Sequence, residues 1–317
     1  MIVLCCQPTA AGRTIENYKV CFCACTPAGD SQYCIGLRSF TLDKKPKRLV
    51  VDPRDLSTRI IDSADARSGC DSLSHLRRQF ASTAYAEALD SAEGSDGKVQ
   101  DAGLIHGFGP EKGIDLTVDL CPSSRPLDRN FFIGLITQFE PEEKPIPVAI
   151  AVTGNWMFEH PDDLEWLVEL QNKGDLAITW INHSYNHRTY GGVPLTENFL
   201  LSKGTNLDIE VLKTERKMIE HGLTPSVFFR FPGLVSDSLV FTRITRYGLV
   251  PVGSDAWLAK NQAPKNGSIV LVHANGNEPY GIRQFFKLVR EHRDSIKAGT
   301  WMLYDLRKSI AREVPGR

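Results

Sequence analysis

No stretch of this 317-residue chain stays apolar for the ~20 residues that a membrane-spanning helix needs, so no span is expected. It also lacks a long basic run, and its net charge is −1, which argues against nucleic acid or an anionic membrane surface as partner. There is no G-x-S-x-G, no Walker loop and no dinucleotide fingerprint, which removes the commonest serine-hydrolase, nucleotide-binding and dehydrogenase readings. Cysteine pairs at zinc-ribbon spacing are missing. The opening Met1-Ile-Val-Leu-Cys-Cys6 has neither the length nor the basic flank of an export signal.

What is present is ordinary for a soluble globular chain: 42% hydrophobic and 24% charged residues. The cysteines are unevenly spread. Cys5, Cys6, Cys21, Cys23, Cys25, Cys34 and Cys70 precede residue 71, and only Cys121 follows. In Lys19–Cys25 three thiols fall on one face of an expected strand. Disulfides in an oxidising compartment and small buried thiols both fit this pattern. Residues 1–100 form a cysteine-rich, β-rich appendage, with strands at Arg48–Asp52 and Thr58–Ile61 and a helix over Ser72–Leu89. The polar stretch Asp90–Gly97 reads as a linker or exposed loop, and no catalytic signature precedes it.

From Gly103 the pattern alternates. Strands are expected at Ile114–Asp119, Ile146–Val152, Leu176–Ile181, Ser226–Phe229, Leu249–Val252, Ser268–Val272 and Thr300–Leu303. Helices fall between them, including one opened by Pro161-Asp-Asp and one over Asp208–His221 stopped by Gly222. Seven strands alternating with helices over 103–317 fit an α/β fold, a distorted (β/α)7-type barrel, better than a small open sheet.

Polar residues gather at the C-terminal ends of these strands: Asp119, Asn155, His183, Arg230, Asp255 and His273. In a parallel barrel those ends converge on one mouth, where active sites are built. His183 and His187, four apart, are expected one helical turn apart and so able to reach one metal ion. The H-x-x-x-H spacing alone is weak; its company at the other strand ends gives it weight.

These residues resemble the polysaccharide deacetylase family (carbohydrate esterase family 4). Leu116-Thr-Val-Asp-Leu-Cys-Pro-Ser123 is similar to the first motif, usually T-F-D-D-G-P, and His183-Ser-Tyr-Asn-His187 to H-[ST]-x-x-H. Phe229-Arg-Phe-Pro232, Asp255-Ala-Trp257 and Ile269-Val-Leu-Val-His273 resemble the remaining three motifs. The resemblance implies a divalent metal, usually zinc, held by two histidines and an aspartate. It also implies removal of N-acetyl groups from an amino-sugar polymer such as peptidoglycan or chitin, and hence an extracytoplasmic home. In the chemistry it implies, Asp119 takes the water proton, His273 protonates the departing amine, Arg230 orients Asp119 and Asp255 orients His273.

One departure matters. The family's second motif-one acid, normally the third metal ligand, is Leu120 here, which cannot bind metal. Asp128 is expected to replace it beside His183 and His187; Asp119 itself is an alternative, and Cys121 is a softer candidate ranked below Asp128. Two other functions stay open: a catalytically silent carbohydrate-binding protein, motivated by Leu120, and a deacylase of a small non-sugar amide.

Overall fold

The computed structural model describes residues 13–26, 33–63, 69–109, 111–139 and 143–311. An antiparallel meander opens the chain: β1 (Ile15–Cys25), β2 (Cys34–Leu42), β3 (Lys45–Val51) and β4 (Thr58–Asp62), in the order β1-β2-β3-β4. Asp43 and Lys44, both at left-handed φ, make the tight β2–β3 hairpin. The register of β1 shifts between Val20 and Cys23, so Cys21, Phe22 and Cys23 are all buried and strict alternation is lost. Cys21 is bonded to Cys70 and Cys25 to Cys34, whereas Cys23 and Cys121 are free and buried. Both expectations for the cysteines therefore hold, for different ones; Cys5 and Cys6 lie outside the described residues.

The helix expected over Ser72–Leu89 is two, α1 (Leu73–Gln79) and α2 (Ala84–Glu93). Thr83 separates them, because its hydroxyl accepts from the Ala86 N–H and caps the second. The stretch expected as an exposed loop begins inside α2, and Ser95 is buried with its hydroxyl accepting from Gly103 N at 2.5 Å.

Strands and helices then alternate: β5 (Lys112–Leu120), α3 (Arg129–Gln138), β6 (Ile146–Val152), α4 (Gly154–Glu159), α5 (Pro161–Asn172) and β7 (Leu176–Asn182). A π-helical turn, Ile209–Lys213, leads into α6 (Thr214–Glu220), followed by β8 (Phe228–Phe229), α7 (Ser238–Arg246), β9 (Val250–Pro251) and β10 (Ala256–Trp257). The chain continues through β11 (Ile269–His273), α8 (Pro279–Glu291), α9 (Arg293–Lys297), β12 (Trp301–Leu303) and α10 (Leu306–Ile310). The parallel order is β10-β11-β5-β6-β7-β8-β9, with β12 beside the start of β5. This is a distorted β/α barrel. Its seam is crossed by the connector from the N-terminal region, where Leu104 bridges Val252 beside β9 and His106 bridges Ser268 beside β11.

Alternation along the strands divides the core. Val148, Ile150 and Val152 of β6 face a cluster built with Phe131, Leu135 and Leu164 of the helices. Ala149 and Ala151 face the other way, into a cluster that continues through Phe229 and Ile269 to Phe22, Ile35, Leu37 and Leu89 of the N-terminal region. Arg38 pins that region to the barrel. Fully buried, it donates to both carboxylate oxygens of Glu215, at 2.7 and 2.8 Å, and to the Tyr247 carbonyl at 2.7 Å. Among the described residues no helix is long and apolar enough to cross a membrane.

Candidate metal centre

Thr117, Asp119 and Cys121 lie two residues apart on and just past β5, so all three face the barrel interior, while Leu120 between them is buried in the helix-side cluster. Asp119 stands directly beside His273, its register partner on β11. Beneath them Arg230, fully buried just past β8, donates from Nη1 to Thr117 Oγ1 at 2.9 Å and to Asp119 Oδ1 at 3.3 Å, and from Nη2 to the Gly253 carbonyl at 2.9 Å. The other Asp119 oxygen is 3.5 Å from His183 Nε2.

His183 follows β7. Its Nδ1 lies 2.9 Å from the Arg230 carbonyl, which can only accept, so that nitrogen carries the proton and Nε2 is left with its lone pair facing the cleft. Burial lowers the pKa of His183 below its ordinary value, more than the nearby Asp119 raises it, which favours the neutral, ligating form. His187 does not arrive by a helical turn, as the spacing suggested. The segment after Asn182 is a loop, with Ser184 and His187 at φ of 70° and 47°, and it folds the two rings to a centroid distance of 4.8 Å.

Glu210 holds that loop. Its carboxylate, buried in the π-helical turn, accepts from Tyr185 N at 2.9 Å, Asn186 N at 2.8 Å and Asn186 Nδ2 at 2.6 Å. Gly154 completes the support: its N–H donates to the Ser184 carbonyl, and a Cβ there would collide with the Tyr185 ring.

The ligand atoms of Cys121, His183 and His187 lie within 4.8 Å of one another. Cys121 Sγ is 3.5 Å from His183 Nε2, and His187 Nε2 is buried with no hydrogen-bond partner among the described residues. Two imidazoles and a thiol converging around an unsatisfied nitrogen form a donor set that suits a borderline-soft divalent ion. Burial pushes the Cys121 thiol up, but the charges of His187 and His273 outweigh it and bring the thiol down to about 7. Burial pulls His273 down, yet the Cys121 sulfur and then Glu278 outweigh it, and the imidazole is held well above its ordinary value. Glu278 Oε2 lies 2.8 Å from His273 Nδ1, an ion-pair contact off the direct N–H line, and also accepts from Trp257 Nε1 at 2.8 Å.

Two further sequence-based expectations are corrected. Asp128 does not turn toward the histidines: it is the N-cap of α3, its side chain accepting from Phe131 N at 3.2 Å, and its own N–H is bonded to the Ala274 carbonyl. Asp255 does not meet His273. It precedes β10, whose register with β11 sets it level with Ile269, four residues and roughly 13 Å along the strand from His273. There it pairs with His106 Nδ1 at 3.1 Å. Glu278, on the loop before α8, takes the place expected of Asp255, and only its position five residues after His273 could have flagged it. The mouth is a cleft of about 390 Å³ whose walls include Asp119, Cys121, His183, His187, Trp257 and His273.

No family model matches the chain. It is similar to the solved structure of a family 4 carbohydrate esterase from Bacillus anthracis, at 18% identity over 70% of this chain and 90% of that one, with a TM-score of 0.48. A family 4 carbohydrate esterase from Bacillus subtilis is 16% identical over 66% of this chain and 91% of that one, with a TM-score of 0.44. A mutant of a Bacillus anthracis family 4 pseudoenzyme, with restored enzymatic activity, is 9% identical over 93% of this chain and 92% of that one, with a TM-score of 0.45. At these identities and scores the likenesses say nothing of this chain's chemistry, which rests on its own residues.

Proposed function

We propose that this chain is a divalent-metal-dependent hydrolase that removes N-acetyl groups from an amino-sugar polymer. The observation that carries the reading is the meeting, at one barrel mouth, of two histidines facing a common point, a carboxylate gripped by a buried arginine, and a third histidine with its own acid. The resemblance of the five motifs supplies the substrate class. The two disulfides of the N-terminal region support an oxidising, extracytoplasmic compartment.

His183 and His187 would hold the ion. When bound, a divalent cation there polarises the acetyl carbonyl and lowers the pKa of the attacking water. Asp119, kept in place through Oδ1 by Arg230, accepts the water proton on Oδ2, the oxygen that faces His183. His273 enters the reaction protonated; with Nδ1 turned to Glu278, its Nε2 proton goes to the departing nitrogen as the C–N bond breaks. The proton taken up by Asp119 then passes back to His273, and the acetic acid formed loses its own proton to solvent, leaving acetate and a free amine. Trp257, tilted over His273 at a centroid distance of 5.8 Å, gives the cleft an apolar wall against which a sugar face can rest.

Acetate release from N-acetylglucosamine oligomers, abolished by a chelator and restored by zinc, is the expected result; a zinc-loaded protein inert on acetylated glycans of every length tested contradicts it. A second reading is favoured by one observation, the lowered Cys121 thiol beside a raised His273 that has its own carboxylate. That trio is also the arrangement of a thiol nucleophile with its base and orienting acid. It predicts activity that survives chelation and is lost on alkylation of the metal-free protein.

A further inference from the structure

We propose that Cys121 Sγ is the third protein ligand of the metal, so that the centre is a His-His-Cys site selective for zinc over harder divalent ions. This rests on the metal-dependent reading above and names what stands where the family resemblance puts a carboxylate.

The geometry is that of a ligand. With bonds of about 2.3 Å to sulfur and 2.0–2.1 Å to nitrogen, a tetrahedral zinc sets the two donors roughly 3.5 Å apart. Cys121 Sγ and His183 Nε2 are 3.5 Å apart, a distance at which the thiol can donate to the imidazole and which matches that edge. The third donor is His187 Nε2, which is buried and has no hydrogen-bond partner among the described residues. The Cys121 backbone is fixed as well, since Asn275 Nδ2 donates to its carbonyl at 2.8 Å, and Asn275 is itself completely buried.

Two competitors are engaged elsewhere: Leu120 is a core residue and Asp128 caps α3. Asp119, tied by Oδ1 to Arg230, keeps Oδ2 3.5 Å from His183 Nε2 for its role as base. Strand alternation explains why the sulfur takes the position. The two residues that follow Thr117 on the inward face are Asp119 and Cys121, so a ligand next to the catalytic carboxylate comes from position 121, not 120. Exchanging a hard carboxylate for a soft sulfur shifts the site away from magnesium and manganese toward zinc, and makes it one that thiol-reactive agents close.

The test is X-ray absorption at the zinc edge on the full chain loaded with zinc alone. The wild type is expected to show one sulfur at about 2.3 Å among nitrogen and oxygen donors. Cys121→Ser is expected to lose the sulfur and at least tenfold in zinc affinity, and Asp128→Ala to change neither. Cys121→Asp is expected to keep the ion with an all-nitrogen-and-oxygen shell and to gain affinity for manganese relative to zinc. A wild type that binds zinc through nitrogen and oxygen only overturns the sulfur ligand while leaving the metal-dependent reading standing, as does loss of zinc in Asp128→Ala. A wild type that takes up no zinc overturns both. The wild-type spectrum needs no variant, so a misfolded Cys121→Ser does not blunt the result.

Discussion

Replacing Glu210 by glutamine tests whether the histidine loop is preorganised from behind. Oε2 of this buried carboxylate accepts two backbone N–H groups, and Oε1 accepts the Asn186 amide. A glutamine carbonyl in the Oε2 position keeps both backbone bonds but makes them neutral, and hydrogen bonds to a charged group are worth about twice neutral ones, a loss of roughly 1 kcal/mol each. Its NH2 then faces the Asn186 NH2, which must turn over to offer its oxygen. The expected loss of about 2 kcal/mol in holding His187 corresponds to about a 30-fold weaker metal affinity, within the range of 10–100-fold typical of outer-shell partners. Zinc affinity by competition with a chromophoric chelator, with circular dichroism to confirm the fold, reads this directly. An intact Glu210→Gln variant that binds zinc as tightly as the wild type refutes the claim that Glu210 sets the loop.

Asp119→Asn keeps an oxygen for Arg230 but removes the base; turnover is expected to fall by about 10²–10⁴ with zinc content unchanged, measured by acetate release and metal analysis. Glu278→Gln removes the acid beside His273, so the pKa of that imidazole is expected to fall, moving the high-pH limb of the rate profile to lower pH. In the metal-free protein the raised His273 pKa contributes stability that is complete below its ordinary 6.5 and is lost as pH rises through the raised value. Glu278→Gln should flatten that loss in denaturant titrations across pH. Arg38→Ala strands the buried Glu215 carboxylate and is expected to cost about 3–5 kcal/mol in urea unfolding, against a few tenths for the exposed Arg216→Ala.

The barrel strands were legible because parallel strands covered on both faces are continuous apolar runs: Ile146–Val152 is observed with the bounds expected of it, and Leu176–Ile181 gains only Asn182. Two-residue strands show only inside a longer apolar run, as β8 does within Ser226–Phe229 and β9 within Leu249–Val252. β10 was not expected, and without it Asp255 read as following the fifth strand at the mouth, whereas it precedes β10, level with the start of β11. His183, His187, Arg230, Asp119 and His273 stood out as polar groups at the ends of apolar runs. Glu210 and Glu278 did not, because an acid on a helix or in a loop is ordinarily solvated, and only tertiary contacts turn these two inward. Cys121 ranks below Asp128 in the sequence because its neighbour Pro122 and the family pattern suggest a turn residue. The period-two pattern Thr117-x-Asp119-x-Cys121 already put the thiol on the inward face.

The most direct test of a metal centre that deacetylates amino sugars is acetate release from N-acetylglucosamine oligomers. Zinc-loaded wild type, chelated wild type and His183→Ala are compared in one assay. Turnover in the first alone, returning to the chelated protein when zinc is restored, is the predicted result. Turnover that persists in the chelated wild type contradicts it and transfers the chemistry to Cys121 and His273.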